Sequence, residues 1–359
     1  MNKKISLLTC GLLLSANVVF AADSIDEAFK NGTVSGSLTA YGITTDNKNN
    51  VADTDEGFGT INVAYETASY MGLTAKASFE AGHDIADATL AEDALMTEAY
   101  IKYTNDMFSI TAGRQAVALE WMGDYQEAIM AEVTAIADTT IVLGYSNQFA
   151  VADEDEIGDF TGDLDGDGIK DDGAYVADIK YTGLANIEVN PYFYSLPDIS
   201  DFYGLKATYS NDMFGALAHY AQSNEDTGAD GSMLALELST SISEVSLAAG
   251  YIATDDTGGT GSMALMDDNY EPMDDGSAIY EADAKMVYGI VGYSIAGVDL
   301  GAAYAQTKIA SNKDKELNLM ASYSFTDSLE ASLLYVDIDA ETGYVNEQQY
   351  ASATIVYSF

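Results

Sequence analysis

Basic charge is the scarcest property of this chain: 14 Lys and Arg stand against 58 Asp and Glu, a formal net charge of −44. So large a surplus repels a phosphate backbone and excludes a nucleic-acid binder. Cysteine occurs once, as Cys10 in an apolar leader, so the remainder has neither a disulfide framework nor cysteine-ligated metal. The two histidines, His83 and His219, lie far apart and outside any motif, and no nucleophile elbow, phosphate loop or zinc-ligand spacing is present. No enzyme is expected; a lipase using a serine and His219 stays formally open. Past the leader no run is long and apolar enough for a membrane helix. With only three prolines, strand ladders can run uninterrupted.

What is present is apolar and aromatic. A chain with 48% hydrophobic residues, 25 Tyr and 12 Phe does not fit acidic disorder. Met1-Asn2-Lys3-Lys4 followed by the apolar run Ile5 to Phe20 reads as a signal peptide over residues 1–21, cut after Ala21. Losing Lys3 and Lys4 with it takes the charge from −44 to −46. Residues 22–32 then form a short periplasmic segment, helical from Asp23 to Asn31 and ended by Gly32.

From Thr33 to Phe359 the chain alternates with a period of two. Leu73, Ala75, Ala77, Phe79 and Ala81 share one face, and Thr74, Lys76, Ser78 and Glu80 the other. In 350–359, Ala351, Ala353, Ile355, Tyr357 and Phe359 oppose Ser352, Thr354 and Ser358, with Val356 the exception. Eighteen such strands fit, among them 126–136, 174–182, 298–309 and 315–326. Connections after even strands are tight, as at Asn105-Asp106, Ala137-Asp138 and Asn211-Asp212. Most of those after odd strands are longer and acidic, widest at 151–173 and 255–280; 197–200 breaks the rule. The pattern predicts an all-β, transmembrane antiparallel barrel of 18 strands with periplasmic termini, because so wide a sheet with one apolar face lacks a second layer to cover it. Tyr103, Phe108, Tyr209, Phe214, Phe325 and Phe359 form a girdle by the tight turns. Tyr357 and Phe359, on the closing strand, are expected to serve barrel assembly.

The start at Ala22 to Gly36, the Ala112-Gly113-Arg114-Gln115 motif and the terminal strand resemble the porins of Campylobacter-type bacteria, which are related to OprD-type porins. The resemblance spans the chain loosely. It implies an eighteen-stranded diffusion pore, often a homotrimer, with the third outer loop folded into the lumen. It also implies that Gly-Arg-Gln marks the start of that loop, here about 114–125.

Arg114 is the only arginine, and the loop carries Glu120, Trp121 and Asp124, with Glu127 at its exit. A guanidinium opposite carboxylates sets up a transverse field that sorts polar solutes in a constriction; a structural ion pair pinning the loop is the equal alternative. Lys76, Lys102, Lys180, Lys206 and Lys285, inward by parity, are candidates for the opposing basic wall, with scattered solubilising charge the alternative for those far from the constriction. The second candidate site is the run Asp163 to Asp172, where alternate carboxylates and glycines suit Ca²⁺, with side-chain oxygens from Asp163, Asp165, Asp167 and Asp171 and the carbonyl of Ile169. Position twelve is Ala174 and no helices flank it, so it is closer to thrombospondin-type calcium loops than to an EF-hand. A solvated, repelling loop is the alternative.

The expectation is an outer-membrane porin that passes small hydrophilic solutes with cation preference and sits among lipid and lipopolysaccharide. A non-conducting surface adhesin or calcium-binding structural barrel is the second reading, and a soluble calcium-loaded β protein the third.

Overall fold

A computed structural model describes residues 22–48, 51–86, 93–153, 156–266, 270–275 and 277–359. The leader read over residues 1–21 lies outside the described residues. A short helix, α1 (Ile25–Lys30), precedes the strands; the Ser24 side chain caps it, and Ala28 packs with Ala22 and Ala68.

Eighteen antiparallel strands follow. They are β1 (Thr33–Asn47), β2 (Thr54–Glu66), β3 (Leu73–Ala86), β4 (Ala94–Thr104), β5 (Phe108–Ala116) and β6 (Tyr125–Val133). Next come β7 (Thr139–Ala150), β8 (Ala174–Leu184), β9 (Ile187–Leu196), β10 (Ser200–Ser210), β11 (Phe214–Glu225) and β12 (Gly231–Ile242). The last are β13 (Val245–Thr254), β14 (Lys285–Ile295), β15 (Val298–Ile309), β16 (Asn312–Thr326), β17 (Leu329–Asp339) and β18 (Gln348–Ser358). Each pairs with its neighbours in sequence, and β18 pairs with β1 from Ser37↔Ser358 to Asn47↔Gln348. The sheet is therefore a closed ring without edges. Gly36 and Phe359 exchange both backbone hydrogen bonds at 3.0 Å and carry the seam one residue past β18.

The tight turns are built by their side chains. Asn105 and Asn211 begin identical Asn-Asp-Met-Phe turns, and each carboxamide oxygen accepts from the backbone N–H groups two and three residues on. Some strand limits differ from the sequence reading. β6 stops at Val133, because Thr134 turns to bond the carbonyl of Met107 in the neighbouring turn. β16 begins at Asn312, three residues earlier than read, so β15 and β16 join through Ala310-Ser311 alone. That makes a second short connection at the long-loop end, beside 197–199.

Polarity is inside out. Leu38, Ile61, Phe79, Ile101, Ile129, Leu143, Leu238 and Leu333 point outward and are exposed, while Ser78, Glu98, Thr111, Ser332 and Thr354 point inward. An apolar belt this broad has no counterpart on a soluble monomer.

Candidate functional site: the lumen constriction

The buried apolar core lies inside the ring. It is made by residues 117–124 between β5 and β6 and the described residues of 255–284 between β13 and β14, which fold inward, with Leu164 of the connection between β7 and β8, packed on the wall from β8 to β15. The first closes as a tight turn, with Val117 N–H on Asp124 O and Leu119 N–H on Met122 O, both 2.9 Å, and Asp124 in the left-handed region. Its tip is Glu120-Trp121.

Trp121 is fully buried. Its indole N–H donates to Tyr192 Oη at 2.8 Å, and its ring lies 6.1 Å from those of His219 and Tyr270. Tyr192 Oη lies 2.5 Å from His219 Nε2. Lys206 Nζ donates to both oxygens of Glu120, at 2.8 and 3.1 Å, and His219 Nδ1 is 4.0 Å from Glu120 Oε1. So the loop tip is held by an aromatic cage on β9 and β11 and a lysine from β10, all beyond sequence range of the loop itself.

The second connection completes the plug. Met263, Met266, Tyr270, Met273 and Ile279 are buried, and the Gly123 N–H donates to Met266 O at 3.0 Å, joining the two loops. Its far end touches the other wall. Asp274 accepts from Tyr350 Oη, Asp275 Oδ2 accepts from Gln348 Nε2 at 3.0 Å, and the Asp275 N–H donates to Glu316 Oε1 at 3.0 Å. Burial pushes the Asp274 and Asp275 carboxyls above the usual carboxylate range, partly offset by these hydrogen bonds.

Around them stand Glu316 and Asp314 of β16, with Lys315 at the edge and Tyr350 and Gln348 of β18. A raised carboxyl pKa favours docking below the ordinary value near 4, and that stabilisation is lost as pH rises through the raised value. The Asp274-Asp275 end should accordingly loosen with rising pH. Protease nicking of 255–284 in the folded barrel measures it; a rate in Asp274→Asn/Asp275→Asn that rises with pH as steeply as in wild type refutes the assignment.

The sequence candidates divide. Glu120 and Trp121 form the anchored tip, and Asp124 closes the turn. Arg114 is not joined to them: its Nε is 3.4 Å from Glu127 Oε2, its Nη1 donates to Met96 O at 3.3 Å, and its guanidinium lies 4.1 Å from the Phe160 ring centre. It ties β4, β5 and β6 to the 151–173 connection. Gly113 before it has φ +121, and a Cβ there would stand 2.2 Å from Ala99 O, so the bend needs glycine. Lys76 binds Glu98 across β3 and β4, and Lys102, registered with Thr74 and Thr111, is nearer the tight-turn end. Tyr357 and Phe359 stack 6.4 Å apart at the seam.

In the acidic loop, oxygens of Asp163, Asp165 and Asp171 come within 4.8 Å of one another. Asp167 instead accepts from the Ile169 N–H at 2.7 Å, and Ile169 is exposed. Sequence reasoning missed Tyr192, Tyr270, Met266, Asp274, Asp275 and Tyr194, whose hydroxyl accepts from the Trp121 backbone N–H at 3.4 Å. The signal available was the apolar content of 255–280, where Met263, Met266, Tyr270 and Met273 are too many for a solvated loop.

A family model described as "Putative outer membrane protein" matches residues 19–218. No curated protein matches the sequence. Among solved structures the chain is similar to OccK8 (OprE) of Pseudomonas aeruginosa, with a TM-score of 0.77 and 14% identity over 92% of this chain and 99% of that one. It is equally similar to OccAB4 of Acinetobacter baumannii, at 0.77 and 15% over 91% and 98%. OpdK of Pseudomonas aeruginosa, solved with vanillate, gives 0.77 and 12% over 92% and 99%. At such identities the likeness is one of fold.

Proposed function

Since the chain belongs to the outer-membrane protein family whose model matches it, we propose that its barrel is an OprD-like porin, close to the Campylobacter-type branch, passing small hydrophilic solutes with a preference for cations. One observation carries the reading: the loops fill one side of the lumen, while Thr39, Tyr41, Asn62, Lys76 and Tyr100 on the other side remain reachable by water. Selection is by size at the loop edge and by charge along the wall, without turnover. Lys76 and Lys206 are each held by a glutamate, so they add little positive field, whereas Glu80, Asp178 and Glu237 line the interior.

Planar-bilayer recording tests both parts. Discrete conductance steps are expected, and the reversal potential in a KCl gradient should favour K⁺ at low salt. That preference should fade as the Debye length falls from about 30 Å at 0.01 M to 3 Å at 1 M. Anion preference at low salt refutes the charge reading, and a silent protein returns the plugged, non-conducting barrel that the lumen core also favours.

Calcium at Asp163, Asp165 and Asp171 belongs to the same proposal. Binding near about 10⁻⁴ to 10⁻³ M is expected by calorimetry and should vanish in Asp163→Asn/Asp171→Asn. Equal heats from both proteins would leave a solvated acidic loop.

A further inference from the structure

Four of the chain's fourteen basic residues gather on the outward face of β14 to β16. Lys285 is registered opposite Lys308, and Lys308 opposite Lys313; Lys315 follows two residues along on the same face. The alternation fixes that face, and it turns Lys285 outward rather than to the lumen as the sequence parity predicts, because Met286 beside it takes the inward position. Met286, Thr307, Asp314 and Glu316 between them are buried toward the lumen, while Val287, Tyr304 and Leu319 are exposed on the outside. The row therefore caps the apolar belt at the long-loop end of the barrel.

Like charges set directly opposite on a sheet repel. The flanking lysines are neutralised, Lys285 by Asp283 and Lys315 by Asp339 at 2.6 Å. Among the described residues no carboxylate lies within 4.0 Å of the Lys308 or Lys313 ammonium. A chain with 58 acidic residues has carboxylates enough to pair them, yet none of the described ones does. The two-residue turn at Ala310-Ser311 holds the unpaired lysines side by side.

We propose that Lys308 and Lys313, flanked by Lys285 and Lys315, bind the phosphate groups of an anionic glycolipid in the leaflet at the long-loop end of the barrel. Placement selects a lipid over a free anion. Lysine stems rooted at the top of an apolar belt reach into the headgroup layer, with the amphipathic rings of Tyr251 and Tyr304 just below them. The inference rests on the membrane barrel and not on its conducting.

The test compares the purified protein with Lys308→Gln/Lys313→Gln in phosphatidylcholine nanodiscs containing a minor fraction of bisphosphorylated lipid A. Retained lipid A is counted by native mass spectrometry. Wild type should keep it, and the double variant should lose about thirtyfold in apparent affinity, at about fivefold per lysine. Lys30→Gln/Lys170→Gln, remote from the row, should bind as wild type does. Heat-modifiable migration confirms that each variant is folded, and conductance read on the same samples keeps the outcome separate from that of the pore. Equal retention by wild type and Lys308→Gln/Lys313→Gln overturns the proposal, as does equal retention of dephosphorylated lipid A. Displacement by inorganic phosphate alone would make this a free-anion site and overturn the lipid assignment.

Discussion

Trp121→Ala should turn a steady channel into one that flickers among conductance levels with a larger mean current. The indole is wholly buried, hydrogen-bonded to Tyr192 and set beside His219 and Tyr270, and it is the main apolar anchor of the 117–124 turn. Truncating a buried Trp costs about 3–5 kcal/mol, which shifts the balance between seated and unseated loop by about two to four orders of magnitude. The barrel itself should survive, because its ladder does not pass through the turn. Trp121→Phe keeps most of the volume and loses only the N–H, so it should fall between. Recordings of Trp121→Ala indistinguishable from wild type, from protein shown to be folded, would remove this loop from the constriction.

The second large effect is expected at the seam. A chain that stops at Ser358 loses the reciprocal Gly36–Phe359 hydrogen bonds and the ring that packs on Gly36. Two hydrogen bonds and a half-covered aromatic together amount to about 3 kcal/mol. This loss falls on the one strand pair that turns a curved sheet into a ring, so the folded fraction in the membrane should drop far more than for a similar loss in an interior hairpin. Cold-gel quantification of the heat-modifiable form measures it. Wild-type amounts of folded barrel would show that the last residue is dispensable for closure.

The ring was largely legible because its physics is local. Alternation of period two, Asn-Asp turns and aromatic strand ends each span a few residues, and the alternation repeated over eighteen strands leaves one architecture. The plug was much less so. Parity says that Lys206 and His219 face inward, but only the register of the whole sheet sets their height, and it is height that brings Lys206 to Glu120 and Tyr192 to Trp121. The charge pattern of 255–280 suggested a solvated outer loop, whereas its methionines sit in the lumen core. Arg114 drew attention as the lone arginine; its partners turned out to be Glu127, Met96 and Phe160, on structure adjoining its own strand.

Packing both inward loops mainly on β9 to β14, with only the Asp274-Asp275 end reaching β16 and β18, leaves the backbone amides unequally shielded. Along β9 to β14 they lie between lipid and packed side chains, and water can reach them only if the loops lift. Along β1 to β3 the inner surface is already wet, and the same ladder bonds open against a smaller barrier. Deuterium should therefore enter the barrel as a gradient around its circumference, slowest beneath Trp121 and fastest near the first strands. A molecule closed by uniform pairing thus breathes from one side only.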